Sequence, residues 1–226
     1  MGSKFWFFLG DIKESRNIDN RQDVQRKLVE IFENLNKEYR DQLVANVGVT
    51  RGDEFGCAGR NPVILNEIGD EIWWRTSEIP VKRGGKIKTF QFRYAIVKGE
   101  ISTFIGREIG AMDGPVFQVL DEKIKELKRG KYGWVYFEGF GNIEDSVLTS
   151  FKNLIYSEFS AWSFSERKIV SLFHKFKNQN KVAEKVGVTQ PYISRVLKNT
   201  SLELIEKAIK DFNMLLKFIT ETGYKM

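Results

Sequence analysis

The run Phe5-Trp6-Phe7-Phe8-Leu9 is apolar at every position and stops at Gly10-Asp11. A strand with one wet face would alternate, so an uninterrupted run predicts a central strand covered on both sides. Next comes a predicted helix over about 20–39. Asp19 is its expected N-cap, and Val24, Leu28, Ile31, Phe32, Leu35 and Tyr39 recur at three- and four-residue steps. Residues 43–50 and 54–58 read as two strands joined by a tight turn at Arg51-Gly52-Asp53. Asn61-Pro62 supplies a cap and a first helical residue for a helix to about Trp74.

The pattern continues through a strand over Lys86–Val97 and a short one over Glu100–Phe104. Asp113-Gly114-Pro115 opens a helix to about Lys128, striped by Val116, Val119, Leu120, Ile124 and Leu127. A strand over Trp134–Phe137 follows, then a helix capped by Asn142 and running through Phe159. Lys82-Arg83-Gly84-Gly85-Lys86 reads as a hairpin tip or loop. The mixed order predicts an α+β domain over 1–160, a sheet with helices on one face. Beyond it only helical periodicity remains, which predicts an all-α domain over 161–226.

Within 161–226, a helix over 165–177 precedes Asn180–Lys198, which has the parts of a helix-turn-helix. Val182 and Val186 are expected to bury the first helix, Ala183 is small where the helices cross, and Gly187 supplies a left-handed turn. Val188 is expected to plug that turn, Thr189 to cap the second helix, and Ile193, Val196 and Leu197 to bury its inner face. The outer residues Thr189, Gln190, Tyr192, Ser194, Arg195 and Lys198 form a candidate interface to double-stranded DNA. The N-terminal ones would lie toward base edges, Arg195 and Lys198 toward phosphates. Of the net charge of +6, residues 156–226 carry +5, so a polyanion would meet that part first. The last apolar stripe, from Leu202 to Ile219, is broad enough to pack back on this module or to pair two chains.

Composition is that of an ordinary globular protein, with 42% apolar and 29% charged residues, which argues against fibrous and disordered classes. One cysteine, Cys57, excludes an internal disulfide, and one histidine, His174, excludes a histidine-rich metal site. His174 is expected to be exposed. The apolar opening is too short for a membrane span and lacks a cleavage site, so a cytoplasmic protein without membrane association is expected.

Asp11 ends the central strand and Asp53-Glu54 sit on the neighbouring turn, so the carboxylates are expected to converge on one sheet edge. The candidate metal site is Asp11, Ile12 and Asp53, taking Mg2+ or Mn2+, since such ions need oxygen ligands and bring nucleotide phosphates with them. Candidate nucleotide-binding residues are Lys13, Arg16, Arg51 and Glu54, with Glu54 expected to face solvent rather than metal.

Gly10-Asp11-Ile12 with Gly52-Asp53-Glu54-Phe55 resembles the metal-binding pair of the ferredoxin-like palm domain of class III nucleotide cyclases and GGDEF diguanylate cyclases. Gly-Asp-Ile-x-x-Ser-Arg at 10–16, Gly-Asp-Glu-Phe at 52–55, Arg93 with Gly99-Glu100-Ile101-x-Thr103, and Asp113-Gly114-Pro115 together resemble the SatD family over nearly the whole chain. That resemblance implies a palm followed by a helix-turn-helix. Thr50-Arg51 precede a single Gly52 where diguanylate cyclases have two glycines. The helix over 115–128 offers Phe117, Gln118 and Asp121, with no arginine until Arg129, so the transition-state Asn/Arg pair of cyclases is not evident. Two readings stand. One is a DNA-binding regulator whose palm binds a nucleoside triphosphate or cyclic nucleotide. The other is a nucleotide cyclase or nucleotidyltransferase whose helix-turn-helix serves localisation or dimerisation. Both kinds of module tend to dimerise, so a homodimer is expected.

Overall fold

The structure, a computed structural model, describes residues 4–103, 106–130 and 133–223. The elements run β1 (Lys4–Ile12), α1 (Arg21–Glu38), β2 (Leu43–Arg51), β3 (Glu54–Gly59), α2 (Pro62–Thr76), β4 (Val81–Arg83), β5 (Lys86–Lys88), β6 (Phe92–Glu100), α3 (Pro115–Arg129), β7 (Val135–Glu138), α4 (Asn142–Ala161), α5 (Phe164–Phe176), α6 (Gln179–Val186), α7 (Gln190–Asn199) and α8 (Leu202–Thr222). Five strands form one mixed sheet in the order β2-β3-β1-β6-β7, and β4-β5 is a separate hairpin. The chain is therefore α+β. Around β1 the sheet is antiparallel, while β6 and β7 are parallel across α3. The path β1-α1-β2-β3-α2-β6 is a split βαβ arrangement, with β1 central.

Helices cover both faces of the sheet, not one. Trp6 and Phe8 of β1 join a core built with α1, α2 and α4. Phe7 and Leu9 point the other way, into a second core under Val116, Leu120, Ile124 and Leu127 of α3. The apolar run of β1 requires this, since successive side chains alternate between faces and all of them must leave water.

Several local expectations change. The strand over Lys86–Val97 is broken: Lys86–Lys88 pairs with β4, and β6 starts at Phe92. No strand spans the expected 100–104. Glu100 ends β6, Thr103 makes an isolated bridge to Asp113, and Phe104 lies outside the described residues. Asp19 does not cap α1; Asn20 takes that position, and the Asp19 carboxylate accepts from Gly85 N–H. Asn61 does cap α2, accepting from Val63 N–H at 3.0 Å. Asn142 is the first residue of α4, whose cap position is Gly141.

α5, α6 and α7 enclose their own small core of Ile169, Leu172, Val182, Ala183, Ile193 and Val196. α8 goes elsewhere. Leu202, Ile205, Phe212, Leu216 and Ile219 join the sheet's main core, against α2 and α4. Its N-terminal part also meets α5, where Leu202 and Ile205 share a cluster with Val170, and Glu206 pairs with His174 and Lys177. Among the described residues, no helix is long and apolar enough to cross a membrane.

Candidate functional site

Register brings the acidic residues together. On one side of β1, Asp11 lies opposite Glu54; on the other it lies opposite Arg93. Gly10 is required just before it, because a Cβ there would stand 2.5 Å from the Phe55 ring. Past the strand end, Ile12 N–H donates to the Asp53 carbonyl at 3.2 Å. The Ser15 hydroxyl donates to the Asp53 carboxylate. Gly52, at φ 63°, makes the β2–β3 turn that carries Asp53. Asp11, Ile12 and Asp53 thus share one end of the sheet.

The cations at this end come from α3, β6, β2 and the segment that follows β1. Lys128, in the last turn of α3, places Nζ 2.6 Å from Asp11 Oδ1 and 3.9 Å from Glu54 Oε1. Arg93 Nε is 3.5 Å from Asp11 Oδ2. Arg51 Nη2 is 3.4 Å from Glu54 Oε2 and 3.8 Å from Asp121 Oδ2. Lys13 Nζ sits 3.7 Å over the Trp134 ring, and Arg16 is exposed in the 3₁₀ turn Ser15–Asn17. Glu54 does not face solvent as expected; its side chain is 14% exposed and held between Arg51 and Lys128.

Burial dominates the proton chemistry. It raises Asp11 above the ordinary carboxylate value; Lys128 opposes the shift and neighbouring Asp53 reinforces it. Glu54 is raised by burial too, with Arg51 and Lys128 opposing. Burial lowers Lys13, and Arg93 repels its charge further. Arg93 is itself lowered by burial, against the pull of Asp11.

Beside the acidic turn lies a cavity of about 230 Å³. Leu28, Val29 and Phe32 of α1, with Val49 and Phe55, form its apolar walls. Asp53, Glu54 and Gln25 supply its polar ones. Glu54 lines the cavity and also stands next to Lys128, so the apolar slot and the cationic group share a wall.

Sequence reasoning did not assign Lys128 to this site, and it met Ser15 and Arg93 only inside a family motif. Lys128 lies one turn beyond Ile124 on the sheet-facing stripe of α3. Its position beside a strand end was the only available signal.

A second candidate surface is α7. Gly187 takes the left-handed conformation at φ 77°, ψ 38° and turns the chain from α6 to α7. Thr189 occupies the cap position of α7, but its side chain makes no capping hydrogen bond. Val188 does not plug the turn; it is 37% exposed. Thr189, Gln190, Tyr192, Ser194, Arg195 and Lys198 are all exposed on the outer side. Gln190 Nε2 donates to Gln179 Oε1 at 2.5 Å, and the Arg195 guanidinium lies 5.3 Å over the Tyr192 ring. His174 is not freely exposed: it stacks on Trp74 at 4.5 Å and pairs with Glu206 at 3.2 Å.

Comparison with known proteins finds the SatD family matching residues 5–216. No curated protein matches the sequence. Among solved structures, the diguanylate cyclase SiaD of Pseudomonas aeruginosa, solved with its activator SiaC, is 15% identical at TM-score 0.42. That match covers 59% of this chain and 50% of SiaD, so the likeness spans half of that protein. The guanylyl cyclase domain of the RhoGC fusion protein from Blastocladiella emersonii is 11% identical at TM-score 0.43, covering 59% of this chain and 78% of that one. The GGDEF domain of PA1120 from Pseudomonas aeruginosa is 15% identical at TM-score 0.39, covering 59% and 81%.

Proposed function

The chain belongs to the SatD family, and from that premise we propose that it binds a nucleotide at the end of β1, base in the cavity and phosphates on the cations. The observation that carries this is the shared wall at Glu54, which joins an apolar slot to Lys128. At about 230 Å³ the cavity is smaller than the ~300–1,000 Å³ usual for whole drug-sized ligands, so it suits one ring system with the sugar and phosphates outside. Gln25 is the neutral amide in the wall and the group placed to read a base edge.

The test is calorimetric titration of the full chain with ATP, GTP, CTP and UTP. Saturable binding of one nucleotide per chain is expected, with a base preference that Gln25→Ala changes. No saturable heat with any of the four at millimolar concentration would overturn the reading. Turnover as a cyclase or nucleotidyltransferase would show as product in the same mixtures. Phosphoryl chemistry depends on cations at the developing charge, and Lys128 and Arg93 are the groups this chain could supply.

A second reading, DNA binding through α7, is favoured by one observation. On the outer side of α7, Gln190, Tyr192, Arg195 and Lys198 are all exposed, the side that would meet a duplex.

A further inference from the structure

We infer that Lys128 takes the place of a divalent cation at the acidic end of β1, so that this site receives nucleotide phosphate without a metal. The inference rests on the nucleotide reading above. It begins with Asp11, which is 2% exposed and has both oxygens turned to cations of the same chain. Lys128 Nζ lies 2.6 Å from Oδ1 and Arg93 Nε 3.5 Å from Oδ2. The same ammonium is 3.9 Å from Glu54, whose other oxygen is 3.4 Å from Arg51. The remaining acid, Asp53, accepts the Ser15 hydroxyl.

Asp11 and Glu54 are therefore already matched by Lys128, Arg93 and Arg51 before any ion arrives. A Mg2+ ion demands oxygen ligands at roughly 2.0–2.1 Å in near-octahedral geometry. The ammonium stands on the Asp11 oxygen that would supply one of them. An added dication would meet Lys128 at close range in a poorly solvated position, where like charges repel strongly. The donor set as built thus does not fit the ion. The Lys128 side chain is 42% exposed, so it reaches from the buried Asp11 to the surface. Its three N–H groups can hold Asp11 and still donate to a phosphate oxygen.

The experiment uses the full chain and Mn2+ alone, followed by electron paramagnetic resonance. Wild type is expected to show no saturable Mn2+ binding in the range where two-carboxylate sites fill. Lys128→Ala is expected to gain it, with affinity raised about tenfold or more, because the Asp11 oxygen is released. Asp11→Asn in the Lys128→Ala background should abolish the gain, and Lys128→Arg should not show it. Lys128→Gln serves in place of the alanine variant if circular dichroism shows that variant unfolded. Saturable Mn2+ binding by wild type that Asp11→Asn removes would overturn the inference, as would a folded Lys128→Ala or Lys128→Gln protein that gains none. In parallel, nucleotide affinity of wild type should change less than about threefold between excess Mg2+ and chelator; a larger loss with chelator overturns it. If no nucleotide binds at all, the proposed function fails, and the Mn2+ arm still decides what Lys128 does.

Discussion

Asp11 is a carboxylate with almost no access to water, and its neighbours only partly repay the lost hydration. Burial raises its pKa despite Lys128 and Arg93, so the folded chain holds this proton at a pH where the unfolded chain has released it. The group's contribution to stability is then largest below the ordinary value of 3.8 and falls as pH rises through the raised one, levelling off above it. Asp11→Asn should remove that slope in the acid range, as urea melts across a pH series would show. A second residue-scale expectation concerns Cys57, which is fully buried and whose thiol is pushed up by burial. A thiol reagent at mildly alkaline pH should leave the native chain unlabelled and modify it in concentrated guanidinium, since only the thiolate reacts. The site's acids were legible in the sequence because Gly-Asp pairs mark strand ends and turns. Lys128 was not, because it reaches Asp11 across 117 residues only after α3 has docked on the sheet.

At the level of elements, α6 and α7 depend on a close crossing and one unusual backbone position. Ala183 is 6% exposed in the core of the α5–α7 unit, so Ala183→Leu should cost roughly 1–3 kcal/mol by overpacking, measured by thermal or urea unfolding. The DNA reading is tested on the same element. Arg195 and Lys198 are exposed on the outer side of α7. Their joint replacement by Ala should weaken binding of the full chain to every duplex and flatten its salt dependence, by roughly one unit of slope for each phosphate no longer neutralised. Fluorescence anisotropy across a salt series checks this. No binding by wild type at low salt removes the DNA reading. Gln190→Ala should instead change which duplex is preferred, because an amide distinguishes bases rather than phosphates.

For the molecule as a whole, α8 is the decisive piece. Phe212 and Leu216 are fully buried in the main core, and Phe212 meets Phe137 of β7 and Phe151 of α4. Asn213 accepts from Asn66 of α2 at 2.8 Å. Asn66 belongs to a buried polar group in which Asp70 accepts from Lys152 and Tyr156, tying α2 to α4. The last helix therefore links the helical unit to the sheet. Phe212→Ala should cost about 3–5 kcal/mol and lower a single calorimetric transition that includes the sheet. Two separate transitions, with only the minor one shifted, would show that the C-terminal helices fold on their own.

The identity and order of the main strands and helices followed from local pattern, because periodicity is a property of neighbours in sequence. The continuous apolar run of β1 even carried the information that both faces of the sheet are covered. What local pattern misplaced was whatever depends on distant partners. Asp19 bonds Gly85 instead of capping α1, Glu54 turns inward to Lys128, His174 stacks on Trp74, and α8 covers α2 and α4. A stripe of apolar residues states that a face must be buried, and a carboxylate states that it needs a partner. Neither states which surface or which cation will be there, since that is set only when the elements pack.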